Sequence, residues 1–204
     1  MPRPRTLTQD RLVAAALTVV DREGLAGLSM RAVAKELGMS TMGLYRYVAD
    51  RETLERLLVE SLLDSVDTAP PPDDTPWRER VEEMVRRLRV AVSARPAVLP
   101  LTVTHRHRSL GVLRWSETVL TILDEAGFDG TRRVIALRAL LGYVIGALQL
   151  EHLGPLAGPG TTTIAALPPA DFPRLADTAR HARDVTPDAE FFGGLAILLR
   201  GLAD

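Results

Sequence analysis

The chain has no cysteine, which excludes disulfides, zinc–thiolate centres and thiol catalysis. Lysine is nearly missing as well: of the 25 basic residues only Lys35 is a lysine. Long apolar runs are absent. The longest uncharged one, Ala139 to Leu150, has 12 residues, against about 20 for a membrane span. No apolar segment of the signal-peptide kind follows the polar start, Met1 to Asp10. The expectation is a soluble cytoplasmic protein with no membrane partner. Alternating strand patterns are almost missing too. Enzyme signatures are lacking: there is no G-x-S-x-G elbow and no H-E-x-x-H, and Gly154 to Gly160 lacks the lysine of a phosphate loop. No catalytic role is expected. With four histidines and no cysteine, neither a transition-metal site nor a cofactor is expected. An oxygen-ligated ion held by a bound ligand stays open.

What is present is helical periodicity over 204 residues, 46% of them hydrophobic. Net charge is −1 but unevenly spread, +3 over residues 1–51 and −4 over the rest. That suggests a modest basic patch on an acidic body. Thr8 can cap a first helix ending at Gly24, with Leu12, Ala16, Val19 and Val20 as its apolar stripe. Ser29 caps a short second helix whose Met30, Val33, Ala34 and Leu37 share one face, and Gly38 ends it. Ser40 or Thr41 caps a third, to about Val48, and Asp50 a fourth, to about Val66. No helix can cross Pro70, Pro71, Pro72 and Pro76. Further helices are predicted near 76–94, 109–126 and 130–152, with a turn edged by Pro96 and Pro100 after the first of them. Residues 154–169 read as a mobile loop, and helices over about 171–184 and 187–202 follow.

The informative segment is Leu28 to Val48, LSMRAVAKELGMSTMGLYRYV. Two short helices joined by a glycine-containing turn make a helix-turn-helix. Ala34 permits close helix approach, Gly38 can take positive φ, and Val33, Leu37 and Leu44 bury the seam. The third helix presents Thr41, Met42, Gly43, Tyr45, Arg46 and Tyr47 outward, a set suited to a DNA groove. Thr41 can reach a base edge, Gly43 lets the backbone come close, and Tyr45, Arg46 and Tyr47 can reach phosphates. The helix starts near Thr8, Ser29 and Asp50 offer N–H groups to phosphates, and Ser40 belongs to the expected DNA-binding set. Blander readings stand beside these. Arg31 could be a solvated arginine, Tyr45 and Tyr47 packing residues, and Arg3 and Arg5 either a tail or a minor-groove arm.

Residues 8–60, with the Leu-Gly turn and the run Leu44-Tyr45-Arg46-Tyr47, resemble the tetracycline-repressor (TetR) family. Tyr47 stands where that family usually has histidine. Val48 replaces a frequent phenylalanine and matches the tetracycline-repressor branch. The resemblance implies an all-α subunit: a three-helix DNA-binding domain, here 1–49, then a helical effector-binding and dimerisation domain, here 50–204. It implies that Arg31, Thr41, Met42 and Gly43 read bases, that Tyr45 is the motif tyrosine, and that Arg51 contacts phosphate. It further implies a homodimeric repressor that binds a palindromic double-stranded operator and is released by a small-molecule effector. The alternative is a helical small-molecule carrier with a vestigial helix-turn-helix.

In the second half, the helix near 130–152 is apolar nearly all round and the last helix repeats the theme. Such helices must be covered on every face. Leu137, Leu141, Val144, Leu148, Phe191, Leu195 and Leu198 are the expected dimer contacts, in an intersubunit four-helix bundle; a purely intramolecular core is the other reading. Effector-pocket candidates are Met84, Leu88, Val103, His105, Trp115, Leu141, Tyr143, Ile145 and Gln149, most of which would serve equally as core. For the cluster His105-Arg106-His107-Arg108 the resemblance implies a ligand-holding role; a surface loop is the other reading.

Overall fold

A computed structural model describes residues 7–202; Arg3 and Arg5 lie outside the described residues. Every regular element described is helical: α1 (Gln9–Gly27), α2 (Met30–Glu36), α3 (Thr41–Leu44), α4 (Arg51–Leu63), α5 (Trp77–Ser93), α6 (Leu99–His105), α7 (Leu110–Glu125), α8 (Gly130–Leu153), α9 (Pro159–Ala165), α10 (Pro173–Ala182) and α11 (Pro187–Gly201), with 3-10 turns at Pro96–Val98 and Arg106–Arg108. The chain forms two compact units. The first takes the residues up to Ala69 and Val90–Thr118; the second takes Pro70–Arg89 and everything from Val119.

In the first unit, α1 packs on α2 and α4, α2 on α3, and α4 on α6. Leu12, Val13, Ala16, Val19 and Val20 of α1 are buried, as are Val33, Ala34, Leu44, Leu54 and Leu58. Each of these leucines and valines contributes about 1.5–3 kcal/mol by leaving water. At Gly24 the backbone leaves helical geometry (φ 70°, ψ 179°), as its glycine predicts, but one further turn runs on to Gly27. Gly38 takes φ 67° at the turn after α2. Leu37, expected in the seam, is only half-buried.

α6 is not legible as a helix from the sequence, where Pro96 and Pro100 read as turn edges. Both prolines stand in the first turn of a helix, where proline's missing N–H has no intrahelical partner to lose. At the far end of α4 the chain comes very close to α7. A Cβ on Gly111 would lie 2.2 Å from the Leu63 carbonyl oxygen and 2.6 Å from its carbon.

In the second unit, α8 buries Ala136, Leu140, Val144 and Leu148, one stripe at spacing four, and α11 buries Phe191, Leu195 and Leu199. The Tyr143 hydroxyl of α8 donates to the Phe191 carbonyl of α11 at 2.5 Å. Burial, then repulsion from Glu190, pushes that phenol above its ordinary pKa. Arg89 is buried against Asp188 (2.8 Å) and Glu151 (3.3 Å), with its guanidinium over the Phe191 ring. Residues 159–165, expected in a mobile loop, form α9 and pack on α10. Thr163 Oγ1 donates back to the Pro159 carbonyl at 3.0 Å, so threonines that read as loop composition are absorbed into a helix. By length and composition α8 could cross a membrane, a property hidden in the sequence because Arg132, Arg133 and Arg138 interrupt its uncharged run.

Four expected dimer contacts need correction. Val144, Leu148, Phe191 and Leu195 are each at most 5% exposed within the single chain, so they serve its own core. Leu137, Leu141 and Leu198 are half-buried. The large apolar side chains that α8 and α11 leave exposed are Val134, Ile135, Leu150, Leu153 and Ile197.

Candidate nucleic-acid interface

Four helix starts in the first unit carry side-chain caps. Thr8 Oγ1 accepts from the Arg11 N–H at 3.3 Å, Ser29 Oγ from Ala32 at 3.1 Å, Ser40 Oγ from Gly43 at 3.0 Å, and Asp50 Oδ1 from Thr53 at 2.7 Å. Each cap satisfies one N–H that a helix start leaves open. The hydroxyls of Thr8, Ser29 and Ser40 act as acceptors here, so their O–H groups can still donate to an anion.

The third helix is shorter than expected. α3 makes one regular turn, then tightens: Arg46 N–H bonds the Gly43 carbonyl at 3.4 Å and Tyr47 N–H the Leu44 carbonyl at 2.9 Å, both three residues back. Leu44 and Val48 stay buried and hold the segment to the core. Around those anchors the chain exposes large side chains: Met42 is 76% exposed, Tyr45 46% and Tyr47 45%. Three such groups within six residues make an apolar patch that water solvates poorly. Thr41 and Gly43, on either side of Met42 in sequence, are half-exposed.

The charges divide into paired and free. Arg22 bonds Glu36 and Glu23, and Arg95 bonds Asp21. The side chains of Arg31, Lys35 and Arg46 have no hydrogen-bond or ion-pair partner among the described residues, and all three residues are exposed. Arg31 and Lys35 are four apart on α2 and share its face. Lys35 is a member of the cationic set that sequence reasoning missed; its signal was that spacing. Arg51, expected on phosphate, is partly committed elsewhere. It donates to the Leu25 carbonyl at 3.1 Å and to Glu55 at 2.8 Å, so it also fastens the start of α4 to the end of α1.

At Asp50, hydrogen bonds from Thr53, side chain first and backbone second, hold the carboxylate below its ordinary pKa of 3.8. This contribution to stability is fully present above pH 3.8 and is lost as pH falls through the lower folded-state value. Asp50→Asn, which still caps, is expected to remove that part of the acid dependence and to leave neutral-pH stability near wild type. Thermal midpoints measured from pH 2 to 7 check this; parallel curves for the two proteins would contradict it.

The nine effector candidates differ in exposure and surroundings. In the first unit, cavities of about 510 and 200 Å³ lie beside α4, and of the nine candidates His105 alone lines them. Met84, Leu88 and Trp115 are fully buried and Tyr143 spends its hydroxyl on Phe191. Val103 is exposed, while Leu141, Ile145 and Gln149 are half-buried. His105 is not part of a surface loop: it ends α6, 6% exposed, with Nε2 3.3 Å from a Glu55 carboxylate oxygen.

Known proteins share this arrangement. Residues 12–54 match the model for bacterial regulatory proteins of the tetR family, and residues 69–204 match the tetracyclin repressor-like C-terminal domain. The chain belongs to the tetracycline-repressor family. Over 150 residues it is 36% identical to the HTH-type transcriptional repressor DrrR1 of Streptomyces coeruleorubidus, covering 74% of this chain but 55% of that one. It is 29% identical to the class A tetracycline repressor protein from transposon 1721, of Escherichia coli, over 97% of this chain and 91% of that one. Among solved structures, the TetR family protein ActR of Streptomyces coelicolor, in complex with actinorhodin, aligns with a TM-score of 0.82 at 28% identity, covering 98% and 97% of the two chains. The all-α architecture is that of TetR-family structures.

Proposed function

We propose that this TetR-family chain is a ligand-responsive transcriptional repressor that binds a palindromic operator as a homodimer. The carrying observation is the joint exposure of Met42, Tyr45 and Tyr47 beside the unpartnered Arg31, Lys35 and Arg46. An apolar, hydrogen-bonding patch ringed by free cations suits the major groove and its phosphates. Residues 1–49 are the reading head in this proposal. Thr41, Met42 and Gly43 face base edges, Arg31 reads a base, and Tyr45, Arg46, Tyr47 and the helix starts at Thr8, Ser29 and Ser40 hold phosphates.

One such head reads a few base pairs, and two read an inverted repeat. The exposed Leu150, Leu153 and Ile197, with the half-buried Leu137, Leu141 and Leu198, are the proposed face toward a second copy. The solved complex of ActR with actinorhodin supports a small-molecule effector for this chain. Met84, Leu88, Val103, His105, Trp115, Leu141, Tyr143, Ile145 and Gln149 are its candidate contacts. An effector releases DNA only if it binds the DNA-free conformation better than the bound one. The proposal entails a cytoplasmic, non-catalytic protein. Footprinting on duplexes selected from random DNA tests it. The expected result is protection of an inverted repeat whose half-sites are centred about one helical turn apart, or a multiple of it. Uniform protection without a preferred sequence would overturn it.

A further inference from the structure

α4 carries a polar relay that DNA contact does not explain. The Arg51 guanidinium donates to the Leu25 carbonyl near the end of α1 (3.1 Å) and, through Nε, to Glu55 Oε1 (2.8 Å). The other carboxylate oxygen of Glu55, Oε2, lies 3.3 Å from His105 Nε2 at the end of α6. One carboxylate thus gives each oxygen to a different element, and α1, α4 and α6 are joined through it. The side chains of His105 and Glu55 are only 7% and 17% exposed.

Packing alone does not require such a link. On the same helix Leu54 and Leu58 are 1% exposed and supply apolar contact. Burying a polar pair costs desolvation that an apolar pair avoids. What the pair supplies instead is direction, because a hydrogen bond fixes distance and angle where apolar contact tolerates sliding.

We propose that Glu55 and His105 are positioning residues for DNA reading. Through Arg51 they hold the first turn of α4 against the end of α1, and so fix how the segment Thr41–Tyr47 is presented. Neither residue touches DNA. The inference rests on the operator-binding reading above.

The test is a double-mutant cycle in the full-length chain: Glu55→Gln, His105→Gln and the double variant. The probes are the inverted repeat that the wild-type protein selects from random DNA, and a scrambled duplex of equal length. Each single variant is expected to weaken binding to the selected repeat by about threefold to thirtyfold. The double variant is expected to be no weaker than the weaker single one, and affinity for the scrambled duplex to be unchanged. Circular dichroism melts establish that the variants fold. A merely structural role would lower melting temperature without changing the ratio of selected to scrambled affinity. Wild-type ratios in both single variants, independent additive losses, or equal losses on both duplexes would overturn the inference. A wild-type protein that selects no sequence at all would instead overturn the operator reading, and the inference with it.

Discussion

Gly111→Ala is expected to lower the stability of the chain by about 3 kcal/mol, at the upper end for an overpacked site. The added Cβ would stand 2.2 Å from the Leu63 carbonyl oxygen and 2.6 Å from its carbon. Both obstacles are backbone, so no rotamer change relieves them. The last turn of α4 or the first turn of α7 has to move. Those same turns are tied by the Leu110 N–H, which donates to Glu60 Oε1 at 3.3 Å. A shift therefore loses a hydrogen bond as well as packing. Urea unfolding reads the effect as a lower midpoint with an unchanged slope. Gly160→Ala in α9, where a Cβ meets nothing within 4 Å, is the control and is expected to be neutral or slightly stabilising. A Gly111→Ala protein as stable as wild type would mean that α4 and α7 do not approach as closely as described.

Arg31→Ala is expected to weaken operator binding by about 1–3 kcal/mol and to relax preference at one base position. Lys35→Ala, one turn further along the same exposed face of α2, is expected to behave differently. It weakens binding to all sequences and lowers the slope of log affinity against log salt by about 1. The contrast follows from chemistry. A guanidinium presents a planar fork that matches a base edge, whereas an ammonium acts on phosphate as a point charge. Fluorescence anisotropy on selected and scrambled duplexes at several salt concentrations separates the two. Equal losses on both duplexes for Arg31→Ala would move Arg31 from the base edge to the phosphates. Unchanged affinity would remove it from the interface.

The helix-turn-helix was legible because its signals are local. Caps at Thr8, Ser29, Ser40 and Asp50, a positive-φ glycine at Gly38 and a buried Leu44 each follow from residue type within a few positions. What was not legible depends on partners distant in sequence. α6 carries one proline and two threonines, and α9 a proline, a glycine and three threonines; the weak helix propensity of these residues is overridden by packing on α4 and α10 respectively. The same distance hid Glu55–His105, which spans 50 residues, and the contact of Gly111 with Leu63. The apolar residues of α8 and α11 mark them as helices that must be covered on every face. They do not say which stripe faces their own subunit, so Val144, Leu148, Phe191 and Leu195 were assigned outward and are buried inward. Arg51 shows the converse limit: its position suited phosphate contact, and only the fold reveals that it also clamps Leu25.

The central claim is that the exposed segment Thr41–Tyr47 with Arg31 reads sequence rather than merely adhering to DNA. A competition titration at fixed physiological salt tests it most directly, with the wild-type chain bound to a labelled, selected inverted repeat and displaced by unlabelled repeat or by scrambled duplex. Preference for the repeat by a factor of about 10³ or more, with two chains bound per duplex, is the predicted result. Equal displacement by the two competitors would contradict the account.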